Sequence, residues 1–303
     1  MDETDIILSS LLLANSRTTY RELAEKLNLS ANAVHKRIQS LIDQGIIRKF
    51  TTKISVLALQ AIIVIVWGRS EAGSASNLHE KLGKHGSIWW VTLGGGNYMV
   101  IGAHLKSMPE IEPLVDYVKK EALMPNPTVG IYPLQPNRAS AGLEKMLHSL
   151  DRQIIYSLRN DSRKPIADIA EEVGVTAKTI RRRLSTMISK SLIEFSIHWY
   201  PDASNDIITT MNVKLEPAAD RNSVANILKG YFPNLIYQFQ FINIPNELFC
   251  VVWMKTMKQL KEIQQRIADE EGVASIVSNI LYTGYIFDTW IDEAACPESA
   301  IAR

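Results

Sequence analysis

The sequence predicts an α+β chain assembled twice from the same two parts, and three observations carry that prediction. The segment beginning at Asp5 recurs from Asp151 at a constant offset of 146 residues, without a gap over 43 positions. A repeat of this kind decides the architecture. In both copies the repeated segment shows helical apolar spacing, and the stretch after it alternates strand-like and helix-like runs. Charge is also unevenly placed: residues 5–53 carry +4 and residues 151–198 carry +3, so the remainder sums to −6 in a chain of net charge +1.

The identities within the repeat include Asp5/Asp151, Leu12/Leu158, Ser16/Ser162, Arg17/Arg163, Ala24/Ala170, Glu25/Glu171, Arg37/Arg183, Ile42/Ile188 and Ile47/Ile193. Apolar positions exchange for apolar ones, as in Leu23/Ile169, Val34/Ile180, Ile38/Leu184 and Leu41/Met187. At 303 residues and 46% apolar composition, the chain can bury more than one core. No apolar run approaches the ~20 residues that span a bilayer. The longest, Ile62 to Trp67 and its neighbours, suits a buried strand. The acidic start Met1-Asp2-Glu3-Thr4-Asp5 argues against a secretory signal. Cys250 and Cys296, the only cysteines, have no metal or redox spacing. A cytoplasmic location is therefore expected, with no membrane partner.

The first copy reads as three helices. Ile6, Ile7, Leu8, Leu11 and Leu12 form a stripe, and Asn15-Ser16-Arg17 interrupts it as a polar turn. A second helix runs from about Thr19 to Leu27, with Leu23, Ala24 and Leu27 inward and Thr18 or Thr19 as its cap. Asn28-Leu29-Ser30 forms a tight turn, where Ser30 can cap the third helix. In that helix Val34, Ile38, Leu41 and Ile42 share one apolar face. At about 100° per residue, Asn32, Lys36 and Gln39 point the opposite way, with His35 and Ser40 at the margins. Gly45 ends the helix, Ile46-Ile47 opens a strand, and Arg48, Lys49 and Lys53 follow where a wing would meet a polyanion.

In the second copy Thr176 is the cap, and Ile180, Leu184, Met187 and Ile188 are the packing face. Lys178, Arg182 and Ser185 point outward, flanked by Arg181. Arg, Lys, Asn and Gln are the side chains that read base edges bidentately or grip phosphates. A basic face on a lone amphipathic helix is only a solvated surface. Here spacing, caps, turn and duplication agree on a DNA-reading unit. The candidate DNA-binding residues are Ser30, Asn32, His35, Lys36, Gln39, Arg48, Lys49, Thr176, Lys178, Arg181, Arg182 and Ser185. Arg37 and Arg183 lie beside the apolar face, placed either to pair with an acidic neighbour or to touch phosphate.

Asp5, Ile7-Leu8, Ser16-Arg17, Glu22-Leu23-Ala24, Leu29-Ser30, Val34, Arg37-Ile38, Leu41 and Gly45-Ile46-Ile47 together resemble the winged helix-turn-helix of the Lrp/AsnC transcriptional regulators. The second copy resembles the same unit, with Thr176 in place of the serine. It departs at Ser191, where the family has glycine, and at Glu194, where the first copy has Arg48. Its wing is thus expected to grip DNA less well, although its recognition helix is more basic.

After each reader the elements run strand-helix-strand-strand-helix-strand. In the first copy these are Ala58–Trp67, Ser76–His85, Ser87–Leu93, Tyr98–Leu105, Glu110–Ala122 and Thr128–Leu134. In the second they are Ile207–Leu215, Ser223–Tyr231, Leu235–Ile242, Leu248–Lys255, Lys258–Glu271 and Ala274–Tyr282. This order is a ferredoxin-like βαββαβ sandwich. The fold class is thus α+β, with two winged helix-turn-helix domains alternating with two ferredoxin-like sandwiches. The expected boundaries are 1–54, 55–136, 137–200 (connector helix and second reader) and 201–303 (second sandwich and tail). Pro133 to Leu147 is the expected connector, with a helix beginning near Ala141, and the tail beyond Pro297 is expected to be loosely ordered. Ile62-Ile63-Val64-Ile65-Val66 is apolar on both faces and should be covered twice, by its helices and by the other copy's sheet. The resemblance implies that these domains pair, so that one chain imitates a dimer.

Gly94-Gly95-Gly96-Asn97 reads as a hairpin turn. It lacks the flanking residues of a phosphate-binding loop. The resemblance implies an amino-acid effector site at this turn, so Gly94, Gly95, Gly96 and Asn97 are candidate ligand residues. Asn97 stands where an acid is expected, and a neutral group pairs poorly with an α-ammonium. Trp89 and Trp90 alternate on their strand, so one ring should pack inward and the other face an interface or solvent. No metal-ligand spacing, cofactor motif or catalytic Ser/His/Asp arrangement is found.

The reading these features favour is a non-enzymatic, sequence-specific DNA-binding transcriptional regulator. It would be nucleoid-associated, self-associating as a homodimer or larger, and open to a small effector such as an amino acid. Two alternatives remain. One is a sirohaem-decarboxylase-like enzyme, against which the hairpins Trp89–Met99 and Tyr237–Phe249 hold no His or Arg. The other is a DNA-bridging chromatin protein with weak sequence preference.

Overall fold

The computed structural model describes residues 1–133 and 146–296. The expected helix near Ala141 and the tail beyond Pro297 lie outside the described residues. The chain begins with helices α1 (Glu3–Ala14), α2 (Tyr20–Leu27) and α3 (Ala31–Asp43), then strand β1 (Ile47–Ile54). There follow β2 (Ile62–Arg69), α4 (Leu78–Leu82), β3 (Ile88–Gly94), β4 (Tyr98–Leu105), α5 (Ile111–Glu121) and β5 (Thr128–Tyr132). The second copy repeats the order: α6 (Ser149–Leu158), α7 (Ile166–Val173), α8 (Ala177–Ser189) and β6 (Ile193–Trp199). Then come β7 (Ile207–Leu215), α9 (Arg221–Lys229), β8 (Leu235–Phe239), β9 (Glu247–Met254), α10 (Met257–Ala268), β10 (Val273–Ile286) and α11 (Trp290–Glu293).

These elements gather into two compact units, each drawn from both copies. One holds residues 1–7, 63–133 and 200–287; the other holds the described residues of 8–62, 134–199 and 288–303. The first therefore collects both strand-rich parts and the second both readers, rather than following the chain as four consecutive segments.

In the sheet unit, the order β5-β2-β4-β3-β10-β7-β9-β8 contains two ferredoxin-like sheets end to end. Each has its fourth, first, third and second strands side by side. The join is made by β10, which is long because it serves two neighbours. Val273 to Leu281 pair with β7, and Leu281 to Ile286 pair with β3. The opposite ends also meet. The Ile242 N–H donates to the Ile131 carbonyl at 2.9 Å. The Asn243 carboxamide then imitates a strand, accepting from the Ile131 N–H (2.9 Å) and donating to the Val129 carbonyl (2.7 Å).

Amphipathic helices cover the outer faces, as α9 does through Val224, Ala225 and Leu228 and α10 through Leu260, Ile263 and Ile267. The inner face is aromatic where the two copies meet. Trp67 stacks on Phe241 (5.3 Å) and lies 4.9 Å from Phe249. Trp67 of β2 is thus covered by two rings of the other copy, one of them from β9. The strand expected from Ala58 begins only at Ile62, because residues 56–60 form a turn in which Gln60 has φ 53°.

In the reader unit, the strands that follow the two readers come together. β1 and β6 pair with each other, antiparallel, as a two-stranded ribbon. Ile54 at the end of β1 and Ala58 just beyond it are buried in the core of the second reader, among Ile154, Leu158, Ile180 and Met187.

Candidate nucleic-acid interface

Each recognition helix is built by local chemistry that the sequence announces. Thr19 caps α2 by accepting from the Glu22 N–H, and Glu22 returns the bond to the Thr19 N–H, a reciprocal capping box. Asn28 ends α2 in the left-handed region. Ser30 caps α3 by accepting from the Ala33 N–H at 3.1 Å, and Thr176 caps α8 by accepting from the Thr179 N–H at 3.2 Å. Val34, Ile38 and Leu41 are buried, as are Ile180, Leu184 and Met187.

The apolar faces are narrower than the sequence suggests. Ile42 and Ile188, expected to pack, are 36% and 52% exposed. They lie about 80° around the helix from Val34 and Ile180, at the edge of the stripe, where the turn after the helix leaves them uncovered.

Every residue expected on the outward faces is solvent-accessible. Asn32, His35, Lys36, Gln39, Lys178, Arg181, Arg182 and Ser185 are exposed, as are the caps Ser30 and Thr176. Their commitments differ. The Gln39 carboxamide donates to Asp43 Oδ1 at 2.8 Å, and His35 lies edge-on to Tyr20 at 5.2 Å. In the second reader the side chains of Lys178, Arg181 and Arg182 form no hydrogen bond or ion pair among the described residues. The second face therefore offers three uncommitted cations, whereas the first offers Lys36 and a glutamine tied to an acid.

Arg183 resolves one of two readings left open by the sequence. Its guanidinium forks onto Asp151, with Nε 2.6 Å from Oδ1 and a second short bond to Oδ2. Asp151 is fully buried and also accepts from the His148 N–H (2.9 Å) at the start of α6. The hydrogen bond to Asp151 raises the Arg183 pKa. This arginine ties the recognition helix to the first helix of its reader.

The ribbon places the remaining basic residues. Arg48 is exposed, and its Nε donates to the Gly45 carbonyl (3.2 Å). Lys49 is half-buried opposite His198, and Lys53 faces Glu194 across the ribbon. Glu194 accepts from the Val56 N–H at 2.9 Å. Its carboxylate thereby fixes the turn after β1. Burial, and then the charge of Lys49, pushes the His198 pKa down to about 4.

Ser16-Arg17 and Ser162-Arg163, by sequence a polar turn kept in both copies, join the two readers to each other. Ser16 Oγ and Ser162 Oγ are 2.6 Å apart and buried. The Arg163 guanidinium donates to the Ser16 and Thr18 carbonyls at 2.7 and 2.9 Å, and Arg17 donates to the Ser162 carbonyl. The available signal was the repeat itself: a polar pair kept in both copies, inside a turn that packing alone would leave free.

The turn at Gly94–Asn97 is occupied by its own protein. Arg69 Nη1 donates to the Gly95 and Gly96 carbonyls at 3.1 and 3.0 Å, and the Asn97 carboxamide donates to the Ala72 carbonyl at 2.6 Å. Gly96 holds φ 63°, which favours glycine. Trp89 and Trp90 are both half-buried and stack at 5.7 Å, so the expected division into one inward and one outward ring does not occur. A bulge between Ile88 and Trp90 breaks the strict alternation. Among the described residues no helix is long and apolar enough to cross a membrane.

Comparisons with known proteins bear on these readers. A winged helix-turn-helix DNA-binding model matches residues 1–48, and an AsnC-type helix-turn-helix model matches residues 147–188. An uncharacterised HTH-type transcriptional regulator of Pyrococcus furiosus is 34% identical over 127 residues, covering 40% of this chain and 84% of that protein. The HTH-type transcriptional regulator LrpA of Pyrococcus horikoshii is 30% identical over 102 residues, covering 33% of this chain and 72% of its own. Each of these regulators is matched over most of its length by less than half of this chain. The structure of the siroheme decarboxylase NirDL aligns over the whole of both chains with a TM-score of 0.59 and 14% identity, a likeness of fold alone. The sequence relatives are regulators rather than enzymes. The chain belongs to the Lrp/AsnC family of DNA-binding transcriptional regulators and carries two of that family's helix-turn-helix units.

Proposed function

We propose that the chain reads two different half-sites of one operator, through α3 and α8. The observation that carries this reading is the chemistry of the outward faces. Both are exposed and both oppose a buried stripe, yet they differ at the four central positions: Asn32/Lys178, His35/Arg181, Lys36/Arg182 and Gln39/Ser185. Arg181 and Arg182 suit guanine edges or phosphates, while Asn32 and Gln39 suit adenine edges. Ser30, Thr176, Arg48 and Lys49 are assigned to phosphates beside those bases, where they set register rather than sequence.

In this reading the chain is two fused copies, 1–54 with 55–136 and 137–200 with 201–303. It acts on double-stranded DNA, as a nucleoid-associated protein of the cytoplasm, and self-associates through its sheets. Control by a small effector such as an amino acid would act on the sheet unit, and a change in DNA affinity on titrating amino acids is its test. Selection of binding sites from randomised DNA tests the function itself. A bipartite motif with unlike halves is the expected result, and uniform affinity across sequences would refute specific reading. Binding should weaken steeply with salt in both cases.

A further inference from the structure

The two readers meet around a local two-fold axis inside the reader unit. Ser16 Oγ lies 2.6 Å from Ser162 Oγ, and these residues occupy the same position in the two copies. An atom that touches its own counterpart must lie next to the axis relating them. The ribbon register agrees: Phe50 pairs with Ile197 and Thr51 with Ser196, and at the offset of 146 these two pairs exchange into each other. The axis therefore passes through the centre of the ribbon and between the two serines.

Across that axis the arginines that follow the serines reach into the opposite copy. Arg17 donates to the Ser162 carbonyl and lies over the Phe195 ring. Arg163 donates to the Ser16 and Thr18 carbonyls and lies over the rings of Tyr20 and Phe50, 4.9 and 5.0 Å from their centroids. Burial is the leading cause of a lowered pKa at both. Thr18 immediately precedes the cap of α2, and Tyr20 is the first residue of α2. His35 of the recognition helix packs on the same Tyr20 ring. A continuous path of contacts thus runs from Arg163 of the second copy to the recognition helix of the first. The second copy has Ile166 and Arg181 where the first has Tyr20 and His35, so the return path lacks this ring contact.

We infer, on the footing of the two-half-site function proposed above, that Arg17 and Arg163 are positioning residues that fix the separation and phase of the readers. A single chain then selects its operator by the spacing of inverted half-sites as well as by their bases. Rigid pairing converts the second binding event into an intramolecular one only when the geometry lets both readers engage. A half-site displaced by about half a helical turn (~5 bp) faces the wrong side of the duplex.

The test uses the intact chain and a set of duplexes carrying both selected half-sites at stepped spacings, together with each half-site alone. The native chain should lose about 100-fold in affinity when the spacing is moved by half a turn. Arg17→Ala with Arg163→Ala should flatten that dependence to within about fivefold and leave binding to each isolated half-site unchanged. A second pair of substitutions covers poor folding of that variant. Ser16→Cys with Ser162→Cys places two thiols on the axis, and oxidising them should restore the spacing dependence to the alanine variant and leave the native chain's affinity intact. Specific binding that ignores spacing, or an alanine variant as spacing-selective as the native chain, would overturn the inference while leaving two-half-site reading in place. Loss of binding on oxidation would show that the readers must part, and would overturn it too. Failure to find any preferred half-site would remove the function and the inference together.

Discussion

The first and second readers share a scaffold and differ in what their outward faces touch. In the second, the side chains of Lys178, Arg181 and Arg182 form no hydrogen bond or ion pair among the described residues. In the first, contacts reach the outward face itself, through His35 on Tyr20 and Gln39 on Asp43. Their helix ends differ in the same reciprocal way. The first reader uses Asn28 to end α2 and Gly45 after α3; the second uses Gly174 and Ser191, all four with positive φ. The first reader's outward residues thus carry contacts of their own, and the second reader's outward cations carry none among the described residues. Duplication followed by divergence of the outward residues produces this without disturbing the buried stripes, because 3.6-residue periodicity keeps the two faces independent.

Removing Arg183 should have the largest effect. Arg183→Ala leaves the Asp151 carboxylate buried and unpaired, so the reader unit should lose about 3–5 kcal/mol in chemical denaturation. Arg37→Ala in the first reader provides the matched comparison.

Acid comes next. His198 titrates near 4 in the folded chain, against an ordinary value near 6.5, because burial and then Lys49 disfavour its charged form. Its neutral form is thus favoured by folding. That contribution is complete above pH 6.5 and is lost as pH falls through about 4, an upper bound of ~3 kcal/mol. Denaturation midpoints between pH 7 and pH 4 should fall less steeply in His198→Gln than in the native chain.

Base contacts are smaller individually. Arg182→Ala should lose ~1–3 kcal/mol on the second half-site if it reads a base. If it grips a phosphate, it should instead lower the salt slope by about one. Lys36→Ala should affect only the first half-site. The smallest effect is Ser191→Gly. It relieves a left-handed residue at φ 52° and should stabilise the second reader by ~1 kcal/mol, narrowing its difference from the first.

Much of this was legible in the sequence. Both readers, their caps Ser30 and Thr176, and the bounds of β4 and β7 follow from spacing alone, because local periodicity determines them. What sequence could not supply was which partner each element takes. β1 is a strand by its own pattern, but that it pairs with β6 depends on contacts between the two copies. The same holds for Glu194, whose use at the Val56 N–H is invisible to a reading that compares it only with Arg48. The exposed Ile42 and Ile188 show the opposite error, an apolar stripe drawn one residue too wide.

The central claim is that one chain holds two unequal readers about a common axis. Site selection with a chain in which the first reader's outward residues copy the second's tests it most directly: Asn32→Lys, His35→Arg, Lys36→Arg and Gln39→Ser together. The native chain should select an inverted pair of unlike half-sites, and the copied chain a symmetric palindrome of the second half-site. A native motif that is already symmetric, or a copied chain that still selects the native motif, would contradict the account.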